Sequence, residues 1–429
     1  MYQLKNMTNN IDEFKKRFVF FMVLTRKKLK NLTFSKKHIE KTKYKMYNHN
    51  IVRMFIYMWF SIIRRKQRMK KRILACMLSL VVAGSMIGCS SKDEETSKDQ
   101  IRVGMVTDAG DIDDKSFNQG TWEGVKKAEE ELGVEINYLK PAGETEAEYN
   151  IEIGNLYDAG YNLVICPGFK FETSIYSMQE KYQDAKFVII DGSPNDGQGN
   201  SLVAENTVSI FFAEHEAGFL SGLAAALQLK EAELGFIGGM EVSSVQRFNW
   251  GFQQGITYAN ENLGTNVSIK EENVVYSGSF TDAALGQQLA AQMYDRGVTA
   301  IFQSAAATGN GVISEAKQRA ALGENVWVIG VDLDQYEDGI YDEANGKSVI
   351  LTSAVKKINN ASFDMIEAAI NDQFPGGKTL VYSVNNNGVG IPEKNPNLDS
   401  SVVETVNEIL EKMKNGEVTV SDEQGDLIR

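Results

Sequence analysis

The sequence predicts an α/β protein of two lobes, each a mostly parallel sheet flanked by helices. Three observations carry this. At 429 residues the chain is longer than one ordinary hydrophobic core supports. From Ile101 onward, apolar runs of strand length alternate with amphipathic stretches of helix length, the pattern of parallel strands covered on both faces. Ten such runs occur, enough that a twisted sheet is better split into two.

The runs fall at 101–107, 134–139, 163–166, 187–190, 202–204, 234–237, 274–276, 300–302, 326–331 and 349–351. The clearest are Phe187-Val188-Ile189-Ile190 and Trp327-Val328-Ile329-Gly330-Val331, rich in β-branched residues. Between the first two runs a helix is expected at 117–132. Thr121, Val125, Ala128 and Leu132 form its apolar stripe, and Ser116 with Gln119 predicts a capping box. Further helices are expected near 145–159, 171–183, 210–229, 245–263, 281–295, 311–322, 355–371 and 400–414.

The formal charge of −12 hides a split. Residues 1–68 hold 18 Lys/Arg against 3 Asp/Glu, whereas residues 89–429 hold 24 against 54. So acidic a body repels phosphate backbones, and nucleic acid is not an expected partner. Of the three cysteines, Cys76, Cys89 and Cys166, only Cys166 lies within the α/β pattern, so no internal disulfide is expected there. His215 is the one histidine of that region. A histidine-based triad or multi-histidine metal site is therefore not expected, and neither a metal nor a cofactor is implied.

Residues 69–88 read as an export signal: Lys70-Lys71-Arg72, an apolar stretch from Ile73 to Ala83, then small residues. The apolar stretch is short for a membrane span. Met86-Ile87-Gly88-Cys89 resembles a bacterial lipobox, with Met where Leu is usual, which implies cleavage before Cys89 and lipidation of its thiol. Residues 89–100 then read as a polar tether. A signal normally begins a chain, so Met69 is expected to be the true start. Residues 1–68 would be an upstream extension or, if translated, a membrane-surface segment.

In open parallel sheets, ligands bind beyond the carboxyl ends of the strands. Asp108, Asp191 and Asp332 each follow an apolar run, and a carboxylate there can accept from ligand hydroxyl and N–H groups. The competing expectation is that each merely caps a helix or closes a turn. Lys356 is expected in the first turn of the 355–371 helix, where a cation opposes the dipole by roughly 0.3–1 kcal/mol. A ligand-facing role beside a carboxylate would explain that placement. Phe117, Phe248 and Phe280 are candidate stacking surfaces for a flat ligand, or ordinary core residues.

Val106-Thr107-Asp108, Asp114-Lys115-Ser116-Phe117-Asn118-Gln119, Val331-Asp332 and Leu351-Thr352-Ser353-Ala354-Val355-Lys356 resemble the basic membrane protein family of substrate-binding lipoproteins. The resemblance covers about 101–400. It implies a two-lobed periplasmic-binding type I fold and, in the nucleoside receptors of that family, capture of a purine nucleoside for an ABC permease. Carried over, Phe117 and Phe280 would sandwich the base, and Asp191, with Asp108 nearby, would read its edge. Asp332 and Lys356 would hold the ribose, and Phe248 would line the opposing wall. The lobes would be 101–207 with 354–380, and 208–353 with 381–429, hinged near 206–209, 353 and 375–384. A monomer is expected, lipid-anchored through Cys89 on the extracytoplasmic face of the cell membrane. One departure is Ala305-Ala306-Ala307-Thr308-Gly309, where the family usually has Ala-Gly-Gly-Thr-Gly; the extra methyls would narrow the cleft.

The alternative on the same fold is a receptor for a sugar or signalling molecule. An enzyme acting on nucleosides is disfavoured, because no Gly-x-Gly-x-x-Gly follows the first run and no Walker loop or histidine pair occurs. A transcription regulator is disfavoured because residues 1–68 lack a helix-turn-helix pattern.

Overall fold

A computed structural model describes residues 100–108 and 110–429. The expected extension, export signal, Cys89 and nearly all of the tether lie outside the described residues. From Arg102 onward the chain runs β1 (Arg102–Val106), α1 (Phe117–Leu132), β2 (Glu135–Leu139), α2 (Glu146–Asp158), β3 (Leu163–Pro167), α3 (Glu172–Lys181), β4 (Lys186–Ile190) and β5 (Thr207–Phe212). It continues through α4 (Glu214–Leu229), β6 (Glu231–Gly238), α5 (Ser243–Leu263), β7 (Asn266–Tyr276), α6 (Ala283–Asp295), β8 (Ala300–Ser304), α7 (Ala306–Ala321) and β9 (Trp327–Asp332). A small hairpin follows, β10 (Ile340–Asp342) with β11 (Lys347–Ser348). Last come β12 (Ile350–Lys356), α8 (Ile358–Ile370), β13 (Lys378–Tyr382), β14 (Val389–Gly390) and α9 (Ser400–Lys414).

Two six-stranded sheets result among the described residues, in the orders β13-β5-β4-β3-β1-β2 and β14-β12-β9-β8-β6-β7. Every pair is parallel except β12 with β14. Strands such as Leu163–Pro167 are buried along their whole length, as a sheet covered on both faces requires. The two-lobed α/β expectation therefore stands.

Several elements differ from expectation. The run at 202–204 is no strand: Leu202 is largely exposed, and the strand is Thr207–Phe212, where the sequence predicts a hinge and the start of a helix. Its polar Ser209 is buried at no loss because its hydroxyl donates to the Gly192 carbonyl at 2.9 Å. Helix α4 accordingly begins at Glu214. Strand β13 was not foreseen because it is a short edge strand, mostly exposed, and follows no long apolar run. By sheet membership, 208–212 and 381–382 lie in the first sheet and 354–356 in the second. The chain thus passes between sheets after Phe212, Lys356 and Tyr382, each a few residues from the expected division.

Helices α4 and α5 cross in close backbone contact. A Cβ added at Gly251 would stand 2.0 Å from the His215 carbonyl oxygen, and one at Gly218 2.3 Å from that of Phe248. Only glycine permits backbones to meet so closely. This crossing sets the start of α4, with Glu214, against Arg247 and Phe248 of α5.

Candidate functional site

In each sheet the strand order reverses once beside its first strand, between β1 and β3 and between β6 and β8. Crevices open at such points beyond the carboxyl ends of the strands. Here the two crevices form one cleft of about 680 Å³, its mouth included. Asp108, Phe117 and Asp191 line it from the first lobe, and Phe248, Phe280, Asp332 and Lys356 from the second. All seven residues singled out in the sequence therefore meet in one cavity.

Lys356 is the last residue of β12, not part of a helix. Val355 pairs with Asp332 in parallel register, and α8 starts only at Ile358. The expected conflict with a helix dipole therefore does not exist. The strand extends beyond the apolar run because its polar residues have partners. Thr352 donates to Asn395 at 2.7 Å, and Ser353 accepts the Gln335 amide at 3.2 Å.

Lys356 is 1 % exposed. It donates to Asp191 and, at 2.9 Å, to Glu214. It also lies 4.9 Å from the Phe212 ring centroid and 5.2 Å from that of Phe117, within cation–π range. Burial works to discharge it, but Asp191, Glu214 and Asp332 together outweigh that and hold its pKa above the ordinary lysine value. Glu214, fully buried, also accepts from Arg247 at 2.8 Å. It was missed in the sequence, where nothing local distinguishes Glu214 from any other acid of the expected 210–229 helix. Its role appears only once the α4–α5 crossing brings Arg247 to it.

The carboxylates differ in how fully they are used. Burial raises the pKa of Asp191, opposed by Lys356. Its Oδ1 is buried without a hydrogen-bond partner among the described residues. Asp332 is pushed up to about 6 by burial, against the pull of Lys356 and a 2.5 Å hydrogen bond from the Ser116 hydroxyl. Both residues have positive φ, 57° and 63°, a region that Asp tolerates better than most residues. Burial raises Asp108 too, opposed by the Asn118 amide donating at 2.8 Å. The capping-box expectation at α1 fails: Ser116 makes no side-chain cap, because its hydroxyl is committed to Asp332. Asp114 takes over, accepting from the Ser116, Asn118 and Gln119 amides at 2.9–3.0 Å.

Phe280 packs on Gly239, where a Cβ would stand 2.3 Å from the ring. Phe248 is 2 % exposed and meets Phe302 edge-on at 5.9 Å, so it packs in the core as well as lining the cleft. Phe169, which the sequence reading passed over, also lines the cleft. Among the described residues no cluster of acidic, histidine and cysteine side chains is suited to a metal, and no helix is long and apolar enough to cross a membrane.

Ala305, Ala306 and Ala307 line the cleft at the start of α7, and Ala306 has φ 48°. Alanine there is strained by roughly 1 kcal/mol relative to glycine. We expect Ala306→Gly to raise unfolding stability by about 0.5–1 kcal/mol in urea titration; a destabilised variant would refute strain at this position.

Residues 101–424 match a family model described as Bmp, ABC transporter substrate-binding protein PnrA-like. The chain belongs to this PnrA-like family. It is 35% identical over 372 residues to a CD4+ T-cell-stimulating antigen of Listeria monocytogenes, covering 82% of this chain and 99% of that one. It is 31% identical over 370 residues, with the same coverages, to a protein of Lactococcus lactis described as ABC transporter nucleoside-binding protein BmpA. Among solved structures, an ABC transporter solute-binding protein of Aeropyrum pernix superposes with TM-score 0.64 at 24% identity, over 76% of this chain and 94% of that one. A transcriptional activator of the comK gene from Bacillus halodurans superposes with TM-score 0.59 at 21% identity, over 74% and 99%. These last two show a shared fold and nothing more. As a PnrA-like protein, the chain is an extracytoplasmic solute-binding component of an ABC importer, and its family is one of binding proteins rather than enzymes.

Proposed function

We propose that the protein captures a purine nucleoside between its lobes and delivers it to an ABC permease. The observation that carries this reading is the unpartnered, buried Asp191 Oδ1 in a cleft that also presents Asp332, Phe117 and Phe280. A flat base would gain stacking of about 0.5–1.5 kcal/mol per ring. Its N–H edge would satisfy Asp191, and vicinal ribose hydroxyls would satisfy Asp332, with Lys356 beside them. Charge argues for a nucleoside over a nucleotide: the lining carboxylates outnumber Lys356, which already serves Asp191 and, behind the cleft, Glu214. A phosphate would enter against that excess.

The passages after Phe212, Lys356 and Tyr382 would act as hinges, closing both lobes on the solute. Cys89 would carry the lipid that holds the protein to the outer face of the membrane, as its lipobox-like context indicates. Calorimetry with inosine, guanosine, adenosine and ribose tests the ligand. The expected result is tight binding of at least one nucleoside and none of ribose; ribose binding without nucleoside binding would overturn the reading in favour of a sugar receptor.

A further inference from the structure

Besides the Lys356–Asp191 pair, contacts between the lobes across the cleft gather on three consecutive residues of the β1–α1 loop. Asn310 of α7 donates to the Asp114 carbonyl at 3.1 Å. The Lys115 ammonium pairs with Asp338. The Lys115 carbonyl accepts from Gln335 at 2.9 Å, and the Ser116 hydroxyl reaches Asp332. Lys115 itself has φ 64°, which turns its carbonyl and side chain both toward the second lobe.

Gln335 occupies the centre of this arrangement and is fully buried, yet does not line the cleft. Its Oε1 accepts from the Val331 amide at 3.0 Å and from Gln303 at 2.7 Å. Those bonds fix the end of β9, where the chain turns to aim Asp332 into the cavity. Its Nε2 donates across the lobes to Lys115. One side-chain amide thus spends its acceptor on holding the binding carboxylate and its donor on holding the lobes together.

We propose that Gln335 is a positioning residue for solute capture, coupling the orientation of Asp332 to closure of the 114–116 loop over the cleft. The inference concerns how the site closes, and its kinetic test rests on the nucleoside reading above. Bonds that form on closure slow ligand escape more than they speed encounter.

Gln335→Glu keeps an acceptor for Val331 and Gln303, but sets a carboxyl oxygen, in place of the amide donor, against the Lys115 carbonyl in a buried site. In stopped-flow binding of inosine, guanosine or adenosine (whichever binds the unmodified protein), we expect dissociation about tenfold faster and association within about threefold. Asn310→Ala severs a second bond to the same loop without touching Gln335 and should speed dissociation several-fold. It also keeps the test open if Gln335→Glu does not fold. A merely structural role would lower the unfolding midpoint and leave dissociation within twofold, and that result would overturn the proposal. Hydrogen–deuterium exchange of the 111–120 segment without added solute supplies a readout free of ligand identity. Gln335→Glu should speed exchange there, and unchanged exchange would refute the clasp. Failure of the unmodified protein to bind any nucleoside would sink the functional reading instead.

Discussion

Replacing Lys356 by methionine should destabilise the protein by about 3–5 kcal/mol at pH 7.5, the range for removing one partner of a buried ion pair. Methionine fills much the same volume, so lost packing contributes little. The loss comes from Asp191, left in a buried site with no cation against it, where it must either hold an uncompensated charge or take up a proton. Glu214 suffers less, because Arg247 still donates to it. The sign of the pH dependence follows from Asp191. Burial already holds its folded pKa above the unfolded value, and removal of Lys356 raises it further. The penalty is therefore full above the folded pKa and shrinks as pH falls through it toward the ordinary aspartate value of 3.8. Urea titrations at pH 7.5 and 5 should show the variant closest to the parent at the lower pH. Adding Asp191→Asn to Lys356→Met should recover part of the stability at pH 7.5, since the orphaned charge is gone. A loss under 1 kcal/mol that does not vary with pH would mean that the pair is solvated rather than buried.

The same ion pair shows how far the sequence could be read. Asp108, Asp191 and Asp332 were legible because each follows an apolar run, and the carboxyl end of a parallel strand is where such sheets place their ligands. The two-sheet architecture was legible for a related reason: runs such as Leu163–Pro167, buried throughout, announce themselves by composition alone. Where polar residues sit inside a strand, the signal fades. Thr352 and Ser353 interrupt β12, and Ser209 interrupts β5. In each case a distant partner, Asn395, Gln335 or the Gly192 carbonyl, makes the burial tolerable, and no local window contains that partner. Lys356 consequently lines the cleft from the end of a strand, not from the first turn of a helix. Glu214 and Gln335 were invisible on their own, since their roles depend on Arg247 and Lys115, 33 and 220 residues away. The Ser116 capping box failed similarly: the motif is local, but the hydroxyl is claimed by Asp332 from the opposite lobe.

On the proposed nucleoside reading, Asp332 brings stability and function into opposition. Its folded pKa of about 6 stands above the ordinary 3.8, so the folded state holds its proton more tightly than the unfolded chain. Keeping it ionised therefore costs stability above pH 6, by an amount on the order of 3 kcal/mol for a fully buried group. The cost fades as pH falls from 6 toward 3.8. Nucleoside affinity should follow the opposite course, because only the carboxylate accepts from two vicinal hydroxyls; binding should weaken as pH drops below about 6. Asp332→Asn separates the two effects. Its amide oxygen can still accept from Ser116, and the buried charge is gone, so the unfolding midpoint at pH 7.5 should hold or rise. Inosine affinity, measured by calorimetry, should fall by about 2 kcal/mol or more, the cost of losing a charged hydrogen-bond acceptor, and should lose its acid dependence near pH 6. Asp332→Ala should bind as weakly and, lacking the Ser116 contact, be less stable than Asp332→Asn. An unchanged dissociation constant in either variant would remove Asp332 from the site. A stabilised variant that no longer binds would show that this carboxylate is kept for capture at the expense of the fold.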